Sequence, residues 1–168
     1  MYSALDIAKW FIARNQLEKE NYETDSENYE VYEDLTHLKL QKLLYFAQGI
    51  YLAINEKPLF KEKIYAWQHG PVVPEVYGEY KKFGRDNIKL SKTEIGDVFE
   101  KIELDGNVIS ELEAAYDKYS AYTAWHLREE THKDGTPWKI IVKADGSGLD
   151  NEIPNELIMD YFKREIVG

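Results

Sequence analysis

From Leu40 to Ile54 the apolar residues Leu40, Leu43, Leu44, Ala47, Tyr51 and Ile54 recur at three- and four-residue steps, the period of one helical face. Leu38, Tyr45 and Leu52 extend this surface onto a flank, and a helix apolar on most sides belongs at the centre of a domain. Thr36 stands where it can cap the start, and Asn55 with Pro58 behind it supplies a left-handed end, which predicts a helix over about 37 to 54. Ile64 to Trp67 then read as a short strand, Gly70 and Pro71 as a turn, and Pro74 as the first residue of a helix that Gly84 ends. Val73 has no side-chain oxygen to cap that helix. The N–H groups of Glu75, Val76 and Tyr77 therefore need an acceptor, either from the same chain or from a partner's carboxylate or carbonyl.

The flanks are patterned less strongly. Ser3 and Asp6 resemble a capping box, with Leu5, Ala8, Phe11 and Ile12 as the apolar face of a first helix over about 4 to 16. Val98, Phe99, Ile102 and Leu104 are expected to form a strand beside Ile64 to Trp67. Asp105 to Asn107 mark a helix start, followed by Val108, Leu112, Ala115 and Tyr119 at helical steps. Thr123 caps a further helix holding Trp125 and Leu127, Trp138 to Val142 begin another, and Asp145 to Asp150 form a loop. Pro154 opens the last helix, with Leu157, Ile158, Tyr161 and Phe162 as its buried face. The expected class is α+β, mostly α: a single helical domain over 1–168 with a two- or three-stranded β element.

Charge divides the chain. Glu18 to Asp34 hold eight acidic residues and one lysine, whereas residues 35 to 92 hold ten Lys or Arg and five acids, against a whole-chain charge of −10. The acidic run reads as a solvated loop, with Tyr22, Tyr29 and Tyr32 available for a docked segment or a partner contact. The overall charge disfavours duplex DNA or an anionic membrane as the main partner. The absence of cysteine excludes disulfides and thiolate chemistry. With no signal peptide and no apolar run of membrane-spanning length, a cytoplasmic protein is expected.

Three separated runs carry a family resemblance: Leu35-Thr36 with Leu38 to Gly49; Ala66-Trp67 with Gly70 to Tyr77; and Thr123 to Trp125 with Leu127, Thr131-His132 and Pro137-Trp138. Together they resemble the Panacea or SocA-like antitoxin domain, met also in phage-associated proteins. Glu18 to Asp34 look like an insertion, and His126 and Glu130 stand where a Glu and a Leu are commoner in that family. The resemblance implies an antitoxin that neutralises a cognate protein toxin by direct contact, in some members as an adaptor to an ATP-dependent protease. A phage protein that blocks a host factor would use the same fold.

The chemistry-bearing residues fit binding better than catalysis. Walker, dinucleotide, nucleophile-elbow and zinc-helix motifs are absent, and no cofactor is expected. His126 and Glu130 share a helical face that His132 leaves, which disfavours a metal site. A hydrolase built on His69, His132 and Glu75 is the alternative from another class, although no nucleophile accompanies them. Lys39, Gln41, Lys42 and Gln48 interrupt the apolar helix, either as rim residues whose stems run along the core or as part of a groove. The expected partner surface comprises Lys39, Gln41, Lys42 and Tyr45 on the helix, and Trp67, His69, Gly70, Pro71 and Val72 around the turn. It continues through Pro74, Glu75 and Tyr77 to Thr131, His132 and Trp138 in the third run.

Overall fold

The computed structural model describes residues 1–24 and 34–168, with side chains described for 1–21 and 34–168. Helix α2, His37–Asn55, is the axis of the molecule, and every residue from Lys39 to Ala53 on it is buried. Thr36 Oγ1 accepts from the Lys39 N–H at 3.3 Å, as its position predicted. The left-handed residue at the other end is Glu56 (φ 55°), one position beyond the expected Asn55.

Around this axis pack α1 (Ala4–Thr24), α6 (Ile109–Tyr119), α7 (Ala124–Thr131) and α9 (Asn155–Phe162). Gly49 permits the closest approach, since a Cβ there would lie 2.4 Å from Phe162 Cζ on α9. Buried apolar side chains from Ala4 to Phe162 form the hydrophobic core. On α9 itself Ile158 and Phe162 are buried, while Leu157 and Tyr161 are packed against the core in part.

Helix α1 begins with the predicted reciprocal cap, the Ser3 N–H donating to Asp6 Oδ2 at 3.0 Å and the Asp6 N–H to Ser3 Oγ at 3.1 Å. It does not stop near residue 16. Gln16 exchanges two hydrogen bonds with the Leu90 backbone, and Glu18 accepts from the Tyr116 hydroxyl, so the helix has partners to extend against as far as Thr24. The acidic run thus starts in helix rather than in loop; Tyr29 and Tyr32, and the side chain of Tyr22, lie outside the described residues.

The sheet has three antiparallel strands in the order β2-β1-β3: β1 Ile64–Trp67, β2 Gly70–Val72 and β3 Glu152–Ile153. Trp67 pairs with Gly70, so the turn consists of Gln68 and His69, and Gly70-Pro71 belong to the strand instead of the turn. Residues 98 to 104 do not supply the third strand. Val98–Glu103 form helix α5, whose Phe99 stacks on Trp10 and whose Glu103 accepts from the Trp10 indole N–H at 2.7 Å. Helices α3 (Pro74–Tyr80), α4 (Lys92–Ile95) and α8 (Pro137–Ile141) are shorter, and single helical turns at Lys81–Phe83 and Lys163–Val167 extend α3 and α9. Among the described residues no helix is long and apolar enough to cross a membrane.

The polar residues of α2 are not at its rim. Lys39, Gln41, Lys42 and Gln48 are all at most 2% exposed, and each is tied to backbone. The Leu59 and Phe60 N–H groups donate to Gln48 Oε1, and Gln48 Nε2 returns to the Phe60 carbonyl, which anchors the chain entering β1. The Val73 N–H donates to Gln41 Oε1 at 2.8 Å, Lys42 Nζ to the Pro71 carbonyl at 3.3 Å, and Lys39 Nζ to the Ser120 carbonyl. A central helix therefore holds four polar groups because backbone at helix ends, in loops and at the hairpin around it, left without a backbone partner, needs side-chain partners.

Candidate functional site: a groove over the hairpin

The three sequence runs converge at one groove of about 750 Å³. Its walls are the start of α2 (Thr36, His37, Leu38 and Gln41), the hairpin residues Trp67 to His69 with Val72, Tyr77 of α3 with Gly84 and Arg85 beyond it, and Ala124 and Trp125 of α7, with Asp150 at one edge. Thr123 Oγ1 accepts from the His126 N–H at 3.1 Å, which fixes the start of α7 and so the place of Trp125.

Aromatic faces dominate the surface. Trp125 is 58% exposed, and the Arg128 guanidinium lies 4.7 Å from its ring centroid. Arg128 Nε also donates to His69 Nδ1 at 3.2 Å, so α7 and the turn are joined across the groove edge. Tyr77 meets Trp67 edge-on at 4.9 Å and His37 at 5.5 Å. His37 Nδ1 is buried without a hydrogen-bond partner among the described residues, and burial together with the Lys42 charge keeps its ring below the usual imidazole pKa.

Beneath the groove a second set of residues holds the hairpin in place. Lys42 is fully buried, and desolvation, reinforced by the Arg128 charge, lowers its pKa to about 7. Gly70 lies over Lys42 and Thr131. His132 Nδ1 donates to the Arg128 carbonyl at 2.7 Å and its Nε2 lies 3.2 Å from the Gln68 carbonyl, while the ring packs 3.7 Å from Trp138. Burial again keeps its pKa below the usual value. The Trp138 indole N–H donates to the Trp67 carbonyl at 2.8 Å.

Of the residues expected on a partner surface, Gln41, Trp67, His69, Val72 and Tyr77 line the groove. Lys39, Lys42, Gly70, Pro71, Thr131 and Trp138 are buried outside its lining and His132 is half-buried, while Tyr45 and Thr131 line a different cavity. Pro74 and Glu75 lie outside both linings. Two of the three N–H groups at the start of α3 are satisfied locally, those of Val76 and Tyr77 donating to the Val73 carbonyl at 3.1 and 3.0 Å. His37, Arg85, Trp125 and Asp150 were missing from the expected surface. Trp125 was the most legible of these, since Leu127 and Thr131 face the core of α7 and position 125 falls on its opposite side.

Catalytic geometry is poor in this region. His69 is engaged by Arg128, both His132 nitrogens face backbone carbonyls, and among the described residues no hydrogen bond joins Glu75 to either ring. His126 Nε2 and Glu130 Oε1 stand 3.6 Å apart, and among the described residues no group of three metal-ligating side chains forms.

Comparison with known proteins gives the family. The chain is 29% identical over 137 residues to Antitoxin SocA of Caulobacter vibrioides (strain NA1000 / CB15N), an alignment covering 77% of this chain and 72% of that one. No solved structure matches. Residues 40–139 match the family model described as "Antitoxin SocA-like, Panacea domain", a span that holds α2 beyond its first turn, the hairpin, α7 and the Pro137-Trp138 pair. The chain therefore belongs to the SocA-like antitoxin family with the Panacea domain.

Proposed function

We propose that the protein is an antitoxin that binds a cognate protein toxin directly, acting in the cytoplasm as one domain, with the groove over the hairpin as its contact surface. The observation that carries this reading is the groove's composition. Trp125 with Arg128 on its face, Trp67, Tyr77 and Arg85 belong to the residue types that dominate protein-binding centres, and they come from separate parts of the chain: α7, the hairpin, α3 and the segment beyond it. The toxin segment that fits is apolar or aromatic, since Arg85 and Arg128 are matched by Asp150 and by Glu129, which accepts from the Trp125 indole N–H at 3.2 Å.

The relative named Antitoxin SocA supports the general role. The test is a titration of the cognate toxin. Simple occlusion predicts complete neutralisation near one antitoxin per toxin site. Complete neutralisation by far less protein, with no protease present, contradicts binding and favours catalysis, whereas a substoichiometric effect that requires an ATP-dependent protease marks the adaptor route. Trp125→Ala should weaken toxin binding by about thirtyfold, the size of a hot-spot loss of about 2 kcal/mol, without lowering the melting temperature.

A further inference from the structure

Where the groove meets the hairpin turn, its edge is closed by a side-chain hydrogen bond whose acceptor is a histidine. Arg128 Nε donates to His69 Nδ1 at 3.2 Å, which joins α7 to the turn. Nδ1 must therefore offer a lone pair, and the neutral ring carries its proton on Nε2. An imidazolium has N–H groups at both nitrogens and no lone pair to give. Protonation of His69 removes the acceptor and sets two positive charges side by side. His69 is exposed, so solvent protons reach it.

No other charge holds the guanidinium there. Among the described residues Arg128 enters no ion pair, and it also lies 4.7 Å from the centroid of the Trp125 ring. A second tether of the turn answers a proton in the opposite sense. His132, at the end of α7, points Nδ1 at the Arg128 carbonyl (2.7 Å) and Nε2 at the Gln68 carbonyl (3.2 Å), so one proton satisfies one of these contacts and a second proton completes the other. In acid Gln68 stays tied to α7 while His69 lets go, which confines the change to the Arg128 side chain and the Trp125 face it covers. The other titratable or charged groups around the turn are His37 and Lys42 of α2, Arg85 beyond α3, Glu129 of α7 and Asp150 before β3. Lys42, with a pKa of about 7, changes charge in the range where histidines do and has to be separated from His69.

We propose that His69 and Arg128 form a pH-operated latch on the groove, closed while His69 is neutral and open once it is protonated, so that a partner seated on Trp125 meets a different edge in acid. The latch does not depend on which partner the groove takes, and its test needs none.

The test is NMR of the whole protein between about pH 5 and 8, the range in which histidine changes charge, following the Arg128 Nε–H and the His69 ring nitrogens. His69→Asn places an acceptor that does not titrate where Nδ1 stood, and His69→Phe removes the acceptor; both change an exposed turn residue, so the fold should survive. The native Arg128 Nε–H should resemble that of the asparagine variant at pH 8 and that of the phenylalanine variant at pH 5, with the midpoint of the His69 ring itself. Its protection from solvent exchange, taken relative to free arginine at the same pH, should fall about tenfold across this range in the native protein and stay constant in the asparagine variant. Lys42→Met should leave the titration in place. An Arg128 signal that ignores the His69 midpoint, a native protein that already resembles the phenylalanine variant at pH 8, or an asparagine variant that titrates as the native protein does would overturn the proposal.

Discussion

Gly70→Ala is expected to lower the stability of the protein by about 3 kcal/mol. Gly70 has φ 115°, a conformation that costs any other residue about 1 to 3 kcal/mol. Its new Cβ would lie 2.7 Å from Lys42 Cε and 2.9 Å from Thr131 Oγ1. Neither neighbour can withdraw. Lys42 is fully buried and bonded to the Pro71 carbonyl, and Thr131, 2% exposed, donates to the Arg128 carbonyl at 2.7 Å. Overpacking of this kind adds about 1 to 3 kcal/mol. Gly84 is the control: it also has positive φ (58°, with ψ −122°), but nothing lies within 4 Å of its Cβ position, so alanine there carries the backbone cost alone and the loss at position 70 should exceed it by about 1 to 3 kcal/mol. Thermal unfolding of both variants checks this, with a loss of about 10 °C expected at position 70. Equal losses at the two positions would show that the hairpin floor yields.

The second large effect is the pH dependence that Lys42 imposes. Its pKa is near 10.5 in the unfolded chain and about 7 in the folded protein. Between these values the unfolded state binds one proton more, so stability rises with pH through this window, and at low pH the folded protein bears the full cost of a buried ammonium. Relative to Lys42→Met, which keeps the length and removes the charge, the native protein should gain on the order of 2 kcal/mol between about pH 6.5 and pH 9. The window is chosen to exclude other groups. His37 and His132, both shifted downward from 6.5, weaken the fold mainly below about pH 6.5, and Tyr80, pushed up to about 12, weakens it only above about pH 10. Denaturant midpoints of the two proteins across this range check it, and a constant difference would mean that Lys42 keeps its proton as a lysine in water does.

These two residues also show where the sequence was legible. Periodicity, Thr36, Thr123 and Pro74 placed α2, α7 and α3 because each signal acts within a few residues. Lys42 was expected at the rim or on the partner surface, and is instead fully buried, because a heptad-scale pattern carries no information about the hairpin that closes over it. Residues 98 to 104 illustrate the same limit: Val98, Phe99 and Ile102 suit either element, and the stacking of Phe99 on Trp10 decides for helix. β3 is two residues long and exists only through pairing with Ile64 and Tyr65, which no local pattern reports. The groove was half visible. Trp67, His69 and Tyr77 were expected on it, whereas Trp125 and His37 join them only once α7 and α2 are brought together at the hairpin.

Amide hydrogen exchange of the protein alone and saturated with its toxin tests most directly whether the groove is the binding surface. Protection should appear at His37 to Gln41, at Trp67 to Val72 and at Ala124 to Arg128, and it should be lost with Trp125→Ala. Protection confined to the opposite face, along α1 and α5, with these three segments exchanging as in the free protein, would place the toxin elsewhere.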